Sequence, residues 1–60
     1  METVLSSKFI RWEGDIYRVD DIKDGGFRFF VFNDGNWVEA SGKLGATIFF
    51  EGVPVDNPES

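Results

Sequence analysis

The sequence predicts an all-β fold, namely a small single domain built on an antiparallel sheet of about five short strands with no substantial helix. Three observations predict this class. Runs rich in aromatic and β-branched residues alternate with turn signals, and seven Phe, two Trp and one Tyr are a heavy aromatic content for 60 residues. No window of ten or more residues shows the 3.6-residue period of an amphipathic helix, so no helix longer than one turn is expected. At this size the expected architecture is an SH3-like or OB-like, partly open barrel.

A central hairpin over residues 27–41 organises the prediction. Its turn is the Asp34-Gly35 pair, which lies between two apolar runs and suits the positive φ angles of a two-residue type I′ turn. This turn fixes the register of the hairpin. The opposing pairs are then Asn33 with Asn36, Phe32 with Trp37, Val31 with Val38, Phe30 with Glu39, and Phe29 with Ala40.

Both faces of this hairpin carry apolar side chains, because successive residues of a strand point to opposite faces. One face holds Phe27, Phe29, Val31, Val38 and Ala40. The other face holds Arg28, Phe30, Phe32, Trp37 and Glu39. A sheet with one solvated face alternates cleanly between apolar and polar residues, so the second face is either covered by the rest of the fold or available to a partner.

The strand pair that precedes the hairpin has a turn with two alternatives. A type II′ turn at Gly14-Asp15 is one, and a turn at Glu13-Gly14, one residue earlier, is the other. Either register places the same four apolar side chains on one face: Ile10, Trp12, Tyr17 and Val19. The remaining strands are expected over residues 8–13, over residues 16–20 or beyond, and over residues 46–51.

The connections follow from composition. Residues 20–26 contain three Asp and two adjacent Gly, so a turn is predicted there, and residues 41–45 form a flexible link. The segment Val53-Pro54-Val55 is suited to a sheet edge, where proline is tolerated. Residues 1–7 and 53–60 are expected to be loose or edge segments of a single domain that spans residues 1–60.

One small interior has to accommodate most of the apolar side chains. The predicted core is Ile10, Trp12, Tyr17, Val19, Phe27, Phe29, Val31, Val38, Ala40, Ile48 and Phe50. Phe30, Phe32 and Trp37 are not part of this predicted core, and they lie beside Arg28 and Glu39 on the other face of the hairpin. Trp, Phe and Arg are enriched where proteins bind one another, so these five residues are the predicted partner-binding site. The alternative is a second small core closed by residues near the ends of the chain.

Charge favours a protein partner over nucleic acid. Six Lys and Arg against eleven Asp and Glu give a net charge of −5, and no basic cluster is present. Five acids are predicted to lie in turns and to steer a basic partner, such as a nucleic-acid-binding protein: Asp15, Asp20, Asp21, Asp24 and Asp34. Simple solubility is the alternative explanation for the same residues.

The residue types that catalysis usually requires are scarce. The chain has no His and no Cys, so neither a general base poised near neutral pH nor an activated thiol is present, and no enzyme is expected. The acids around Asp20 lack EF-hand spacing, because Ile22 stands at the third position and Val31 at the twelfth. No metal, no cofactor and no membrane span are predicted, and a cytoplasmic location is expected.

These features predict a non-enzymatic, acidic protein-binding module, acting as an inhibitor or accessory subunit. Small acidic β proteins of this kind are typical of phages and mobile elements, so a viral protein is one expectation. The first alternative is a small barrel that binds single-stranded nucleic acid, with bases stacked on the aromatic rings and phosphates paired with Arg11, Arg18 and Arg28. The second is a structural homo-oligomer, for instance a homodimer. No sequence signature of a family stands out.

Overall fold

The computed structural model describes residues 2–59 and contains a five-stranded antiparallel sheet with one short helix. The elements are β1 (Val4–Trp12), β2 (Asp15–Ile22), β3 (Gly26–Asn33), β4 (Asn36–Ala40), a 3-10 turn (Gly42–Leu44), α1 (Gly45–Glu51) and β5 (Val53–Pro54). The strand order is β4-β3-β2-β1-β5. The all-β prediction is confirmed. The sheet is open and does not close into a barrel, because its edge strands β4 and β5 are not paired with each other in the described chain.

The central hairpin has the predicted turn and register. Asp34 and Gly35 have φ angles of 51° and 81°, as a type I′ turn requires. All five opposing pairs, from Asn33 with Asn36 to Phe29 with Ala40, are those that the turn predicted. The turn chemistry of two residues therefore determines which side chains share a face over the whole of β3 and β4.

The first hairpin uses the earlier of its two possible turns. Glu13 and Gly14 have φ angles of 50° and 85°, and Ile10 lies opposite Tyr17. The apolar face common to both alternatives is present, since the Trp12 and Tyr17 rings lie 6.2 Å apart on it. The type II′ alternative is wrong at this turn.

The strand predicted over residues 46–51 is wrong, because this segment is helix α1, and the expectation of no helix longer than one turn is wrong with it. A short apolar run can be a strand or one side of a buried helix, and periodicity alone does not separate them. Here Gly45 and Ile48, three residues apart, both turn toward the sheet and are buried. The segment covers the sheet face that holds Ile10 and Val19 instead of adding a strand.

The core is smaller than the predicted interior. Ile10, Val19 and Ile48 are buried together, and Trp12, Tyr17 and Phe29 pack against them. Three residues of the predicted core are exposed instead: Phe27 (61%), Val38 (48%) and Phe50 (91%). A helix of seven residues is only about 10 Å long, so α1 reaches the middle of the sheet but not its margins. Phe50 follows the buried Ile48 by two positions, about 200° around the helix, and so points into solvent.

One predicted turn is shorter than expected, and one predicted edge strand is present. Strand β2 continues through Asp20 and Asp21 to Ile22, so the predicted turn shrinks to residues 23–25. Ile22 is buried, and this burial explains why the strand extends into an acidic stretch of low β propensity. At the other end of the chain, Val53–Pro54 does form an edge strand, opposite Ile10 and Arg11 of β1.

Candidate functional site

The side of the sheet opposite α1 carries a cluster of large side chains, which we call the aromatic face. It consists of Phe9, Arg18, Phe30, Phe32 and Trp37. These residues come from four strands, and each is half-buried. They share a face because Phe9 pairs with Arg18, Arg18 with Phe30, and Phe32 with Trp37 across the antiparallel ladders.

The rings of the aromatic face converge over the sheet. The centroids of Phe32 and Trp37 lie 4.9 Å apart, and those of Phe9 and Trp37 lie 5.8 Å apart. Two strands separate β1 from β4, a distance of about 14 Å at the usual strand spacing. Contact between rings from these two strands shows that the sheet is concave on this side.

Arg18 lies at the centre of this concave face. Its guanidinium carbon is 4.3 Å from the centroid of the Phe30 ring and 5.1 Å from that of Trp37, which is cation–π geometry. Nε of Arg18 forms an ion pair with Oδ1 of Asp20 at 3.1 Å, although the angle is not that of a hydrogen bond. The Ser7 hydroxyl donates to the same Asp20 oxygen over 2.7 Å. One buried carboxylate therefore positions the cation that stacks on the rings.

Replacing Asp20 by alanine is expected to lower the free energy of unfolding by about 2 kcal/mol, because the half-buried Arg18 and the Ser7 hydroxyl lose their shared partner. Urea denaturation followed by circular dichroism measures this change. Asp56→Ala is the matched control, since Asp56 is exposed and should change stability by less than about 0.5 kcal/mol. Equal effects for the two variants would show that the buried ion pair is not stabilising.

The two charged residues predicted at the rim are paired with each other. The guanidinium of Arg28 donates to Glu39 over 3.1 Å and to Glu2 over 3.0 Å through Nε. The hydrogen bond with Glu2 is the largest influence that raises the pKa of Arg28, followed by the Coulombic attraction of that carboxylate and then by the hydrogen bond with Glu39. Arg28 and Glu39 thus form a neutralised border beside the rings.

Residues near the C-terminal end of the described chain reach the same face. The Val55 amide donates to the Phe9 carbonyl over 3.0 Å, and Nε1 of the Trp37 indole donates to Oε1 of Glu59 over 2.7 Å. Asn57 and Pro58, between these two contacts, are half-buried. The segment 55–59, which we call the tail, therefore runs from β1 to the Trp37 side of the aromatic face. The tail covers the rings in part. The observed arrangement is therefore intermediate between the two that the sequence predicted, an exposed patch and a closed second core.

The acidic residues do not form a single surface. Asp15 and Asp34 are exposed at the end of the sheet where the β1–β2 and β3–β4 turns lie. Asp21 and Asp24 lie at the opposite end, where Asp24 is exposed and Asp21 is half-buried. Asp20 differs most from the prediction, because it is 6% exposed within β2 and paired with Arg18. Its charge is neutralised within the fold, so it does not act as an exposed steering residue.

Sequence reasoning missed two members of the aromatic face, Phe9 and Arg18. The signal was present, because strand alternation placed both on the reverse side of the first hairpin. What the sequence did not show is that the concave sheet brings this side of β1 within reach of Trp37. The sequence did offer residues near the chain ends as a cover for these rings, but only the fold shows that Glu59 reaches the indole.

Other kinds of site find little support. Within residues 2–59, no three His, Cys, Asp or Glu side chains are grouped so that they could hold a metal ion. The helices in that range are too short to cross a lipid bilayer. No protein-family model, curated protein or solved structure gives a significant match to the chain, so the chemistry of the site alone has to indicate the function.

Proposed function

We propose that this chain is a small, non-enzymatic protein-binding module, acting as an inhibitor or accessory subunit, that binds its partner through the aromatic face. One observation carries the proposal. Within residues 2–59 the sheet has a helix over one face, and the other face presents half-buried Phe30, Phe32 and Trp37 around a stacked arginine. A second core sealed from solvent would bury these rings completely.

The composition of the face suits binding. Trp, Tyr and Arg dominate the few residues that contribute most of the energy of protein interfaces. Contact among the rings adds to this, because Phe32, Trp37 and Phe9 together present one continuous apolar surface to a partner. The border formed by Arg28 and Glu39 is the polar rim that surrounds such anchors in known interfaces.

The charge distribution indicates a basic partner. Glu13, Asp15 and Asp34 are exposed in or beside the two hairpin turns, at the end of the sheet next to the Phe32–Trp37 pair. With a net charge of −5, the chain attracts positively charged surfaces and accelerates encounter with them. A protein with a groove for nucleic acid has this character, and an acidic module placed there would act as an inhibitor.

Single-stranded nucleic acid is a weaker candidate, because two of the three arginines expected to bind phosphate are already paired. Arg18 is paired with Asp20, and Arg28 with Glu2 and Glu39, so neither has an unpaired charge for a phosphate. Titration with a fluorescent oligonucleotide at low salt should give no binding at micromolar concentration. Tight binding that weakens steeply with added salt would favour nucleic acid over protein.

The test of the proposal is a variant with Phe32→Ser and Trp37→Ser. A partner is first captured from a host lysate with the unaltered chain and purified, and its affinity is then measured by calorimetry. Loss of one anchor residue typically costs about 2 kcal/mol, so the double variant should bind at least about 30-fold more weakly. Circular dichroism has to show that the variant is folded.

The matched control is Val38→Ser with Phe50→Ser, which removes two exposed apolar side chains from outside the aromatic face. This variant should keep its affinity within about threefold. Hydrogen exchange on the unaltered complex gives a second readout that does not depend on mutant folding, since partner binding should slow exchange at residues 30–32 and 37. If the control variant loses affinity and the aromatic variant keeps it, the partner binds elsewhere.

A further inference from the structure

The outer edge of β1 is only partly occupied. Strand β5 pairs with β1 at Ile10 and Arg11, and the Val55 amide adds a hydrogen bond to the Phe9 carbonyl. On one side, residue 4 and residues 6–8 of β1 pair with β2, and within residues 2–59 no strand pairs with residues 4–8 on the other side. Because the Phe9 carbonyl points outward, alternation directs the backbone groups of Ser7 outward as well. The edge thus offers unpaired donors and acceptors.

Exposed apolar groups surround this edge. Val4 and Leu5 are 48% and 60% exposed, and a register shift between Val4 and Ser6 leaves Leu5 out of the pairing with β2. Directly along the strand lies a cleft of about 380 Å³ lined largely by apolar atoms of Phe9, Ile10, Phe49, Pro54 and Val55. An exposed edge and an exposed apolar cleft on the same strand are features that proteins usually cover.

We propose that a second copy of this chain covers this edge, by antiparallel pairing of β1 with β1 about a two-fold axis. In antiparallel pairing limited to residues 4–8, Val4 and Leu5 of one copy come opposite Ser7 and Lys8 of the other. That position is the mouth of the apolar cleft. The contact is therefore self-complementary, because each copy supplies the apolar pair and also the cleft that receives it.

Charge also favours the antiparallel direction. Lys8 is the one charged residue among residues 4–8. Antiparallel pairing places it opposite Val4 of the other copy, whereas parallel pairing in register would place Lys8 beside Lys8. The start of the strand is also held in place, by the bond from the Lys23 amide to the Thr3 carbonyl and by the ion pair of Glu2 with Arg28.

Association through β1 leaves the aromatic face free, so the two surfaces act independently. A two-fold axis between antiparallel edge strands runs perpendicular to the sheet, and it places both aromatic faces on the same side of one continuous sheet. A chain of this size gains in stability from such association, because its own core is small.

Sedimentation velocity of the full chain over a micromolar to millimolar concentration series tests the proposal. We expect a reversible monomer–dimer equilibrium, and Leu5→Lys should weaken it at least about tenfold by placing a charge on the edge. Val38→Lys, on the opposite edge strand β4, is the matched control and should leave the equilibrium unchanged. A monomer at every concentration would overturn the proposal, and so would a dimer that Val38→Lys dissociates and Leu5→Lys does not.

Hydrogen exchange on the unaltered chain provides a readout that requires no variant. The amides of Leu5 and Ser7 should exchange more slowly as the concentration rises through the dimer range, while that of Val38 should not change. Slowing confined to β4, or absent from β1, would contradict pairing through the β1 edge.

Discussion

Replacing Ile48 by alanine should lower the free energy of unfolding by about 3 kcal/mol, the largest effect of any single truncation in this chain. Ile48 is 1% exposed and is the residue through which α1 contacts Ile10 and Val19. Its loss removes buried apolar area and leaves a cavity that the sheet, held by its ladders, cannot close completely. Because a domain of this size has a total stability of only about 5 kcal/mol, a large part of it depends on this side chain. Urea denaturation followed by tryptophan fluorescence measures the change.

Phe50→Ala is the matched control for that experiment. It removes a larger apolar side chain from the same helix, two residues further on, but Phe50 is 91% exposed. Stability should therefore change by less than about 0.5 kcal/mol. A large loss in Phe50→Ala with a small loss in Ile48→Ala would mean that α1 packs on the sheet through its other side.

Gly52→Ala is expected to lower the free energy of unfolding by about 3 kcal/mol, because there is no space for a Cβ atom. A Cβ at this position would overlap the side chain of Ile10 and would lie 2.5 Å from the Ile48 carbonyl oxygen and 3.2 Å from that of Arg11. Both oxygens belong to the backbone of regular elements, so neither can move without disturbing α1 or β1. Gly52 has φ −75° and ψ 165°, which alanine adopts readily, so the effect reports space and not backbone conformation.

The comparison for this variant is Gly42→Ala. A Cβ there would lie 3.5 Å from the Phe29 ring, an ordinary van der Waals distance, so stability should stay within about 1 kcal/mol of the unaltered chain. Both variants can be followed in the same urea experiment. If Gly52→Ala proves as stable as Gly42→Ala, α1 and β5 do not meet β1 as closely as the structure shows.

The sequence predicted the parts of the fold that depend on local chemistry. Asp34 and Gly35 specify a turn type, and the turn type specifies the pairing of β3 with β4, so five residue pairs follow from two residues. The first hairpin was predicted less completely, because Glu13-Gly14 and Gly14-Asp15 are both acceptable turns. Its apolar face was nevertheless predicted correctly, since the choice of turn does not change which side chains alternate together.

Features that depend on contacts between distant segments were not predictable in this way. The run from Ala46 to Phe50 has the composition of a strand, and only the need to cover Ile10 and Val19 makes it a helix. The same holds for the aromatic face. Alternation identified Phe30, Phe32 and Trp37 correctly as neighbours, whereas the contact between Phe9 of β1 and Trp37 of β4 arises from the concave shape of the sheet.

The bond between Trp37 and Glu59 has a practical consequence for handling the protein. A purification tag attached just after Glu59 would start beside the indole and would compete with a partner for the aromatic face. Comparing the tagged protein with the same protein after the tag has been cleaved off therefore shows whether a lost interaction depends on that face, without changing a residue.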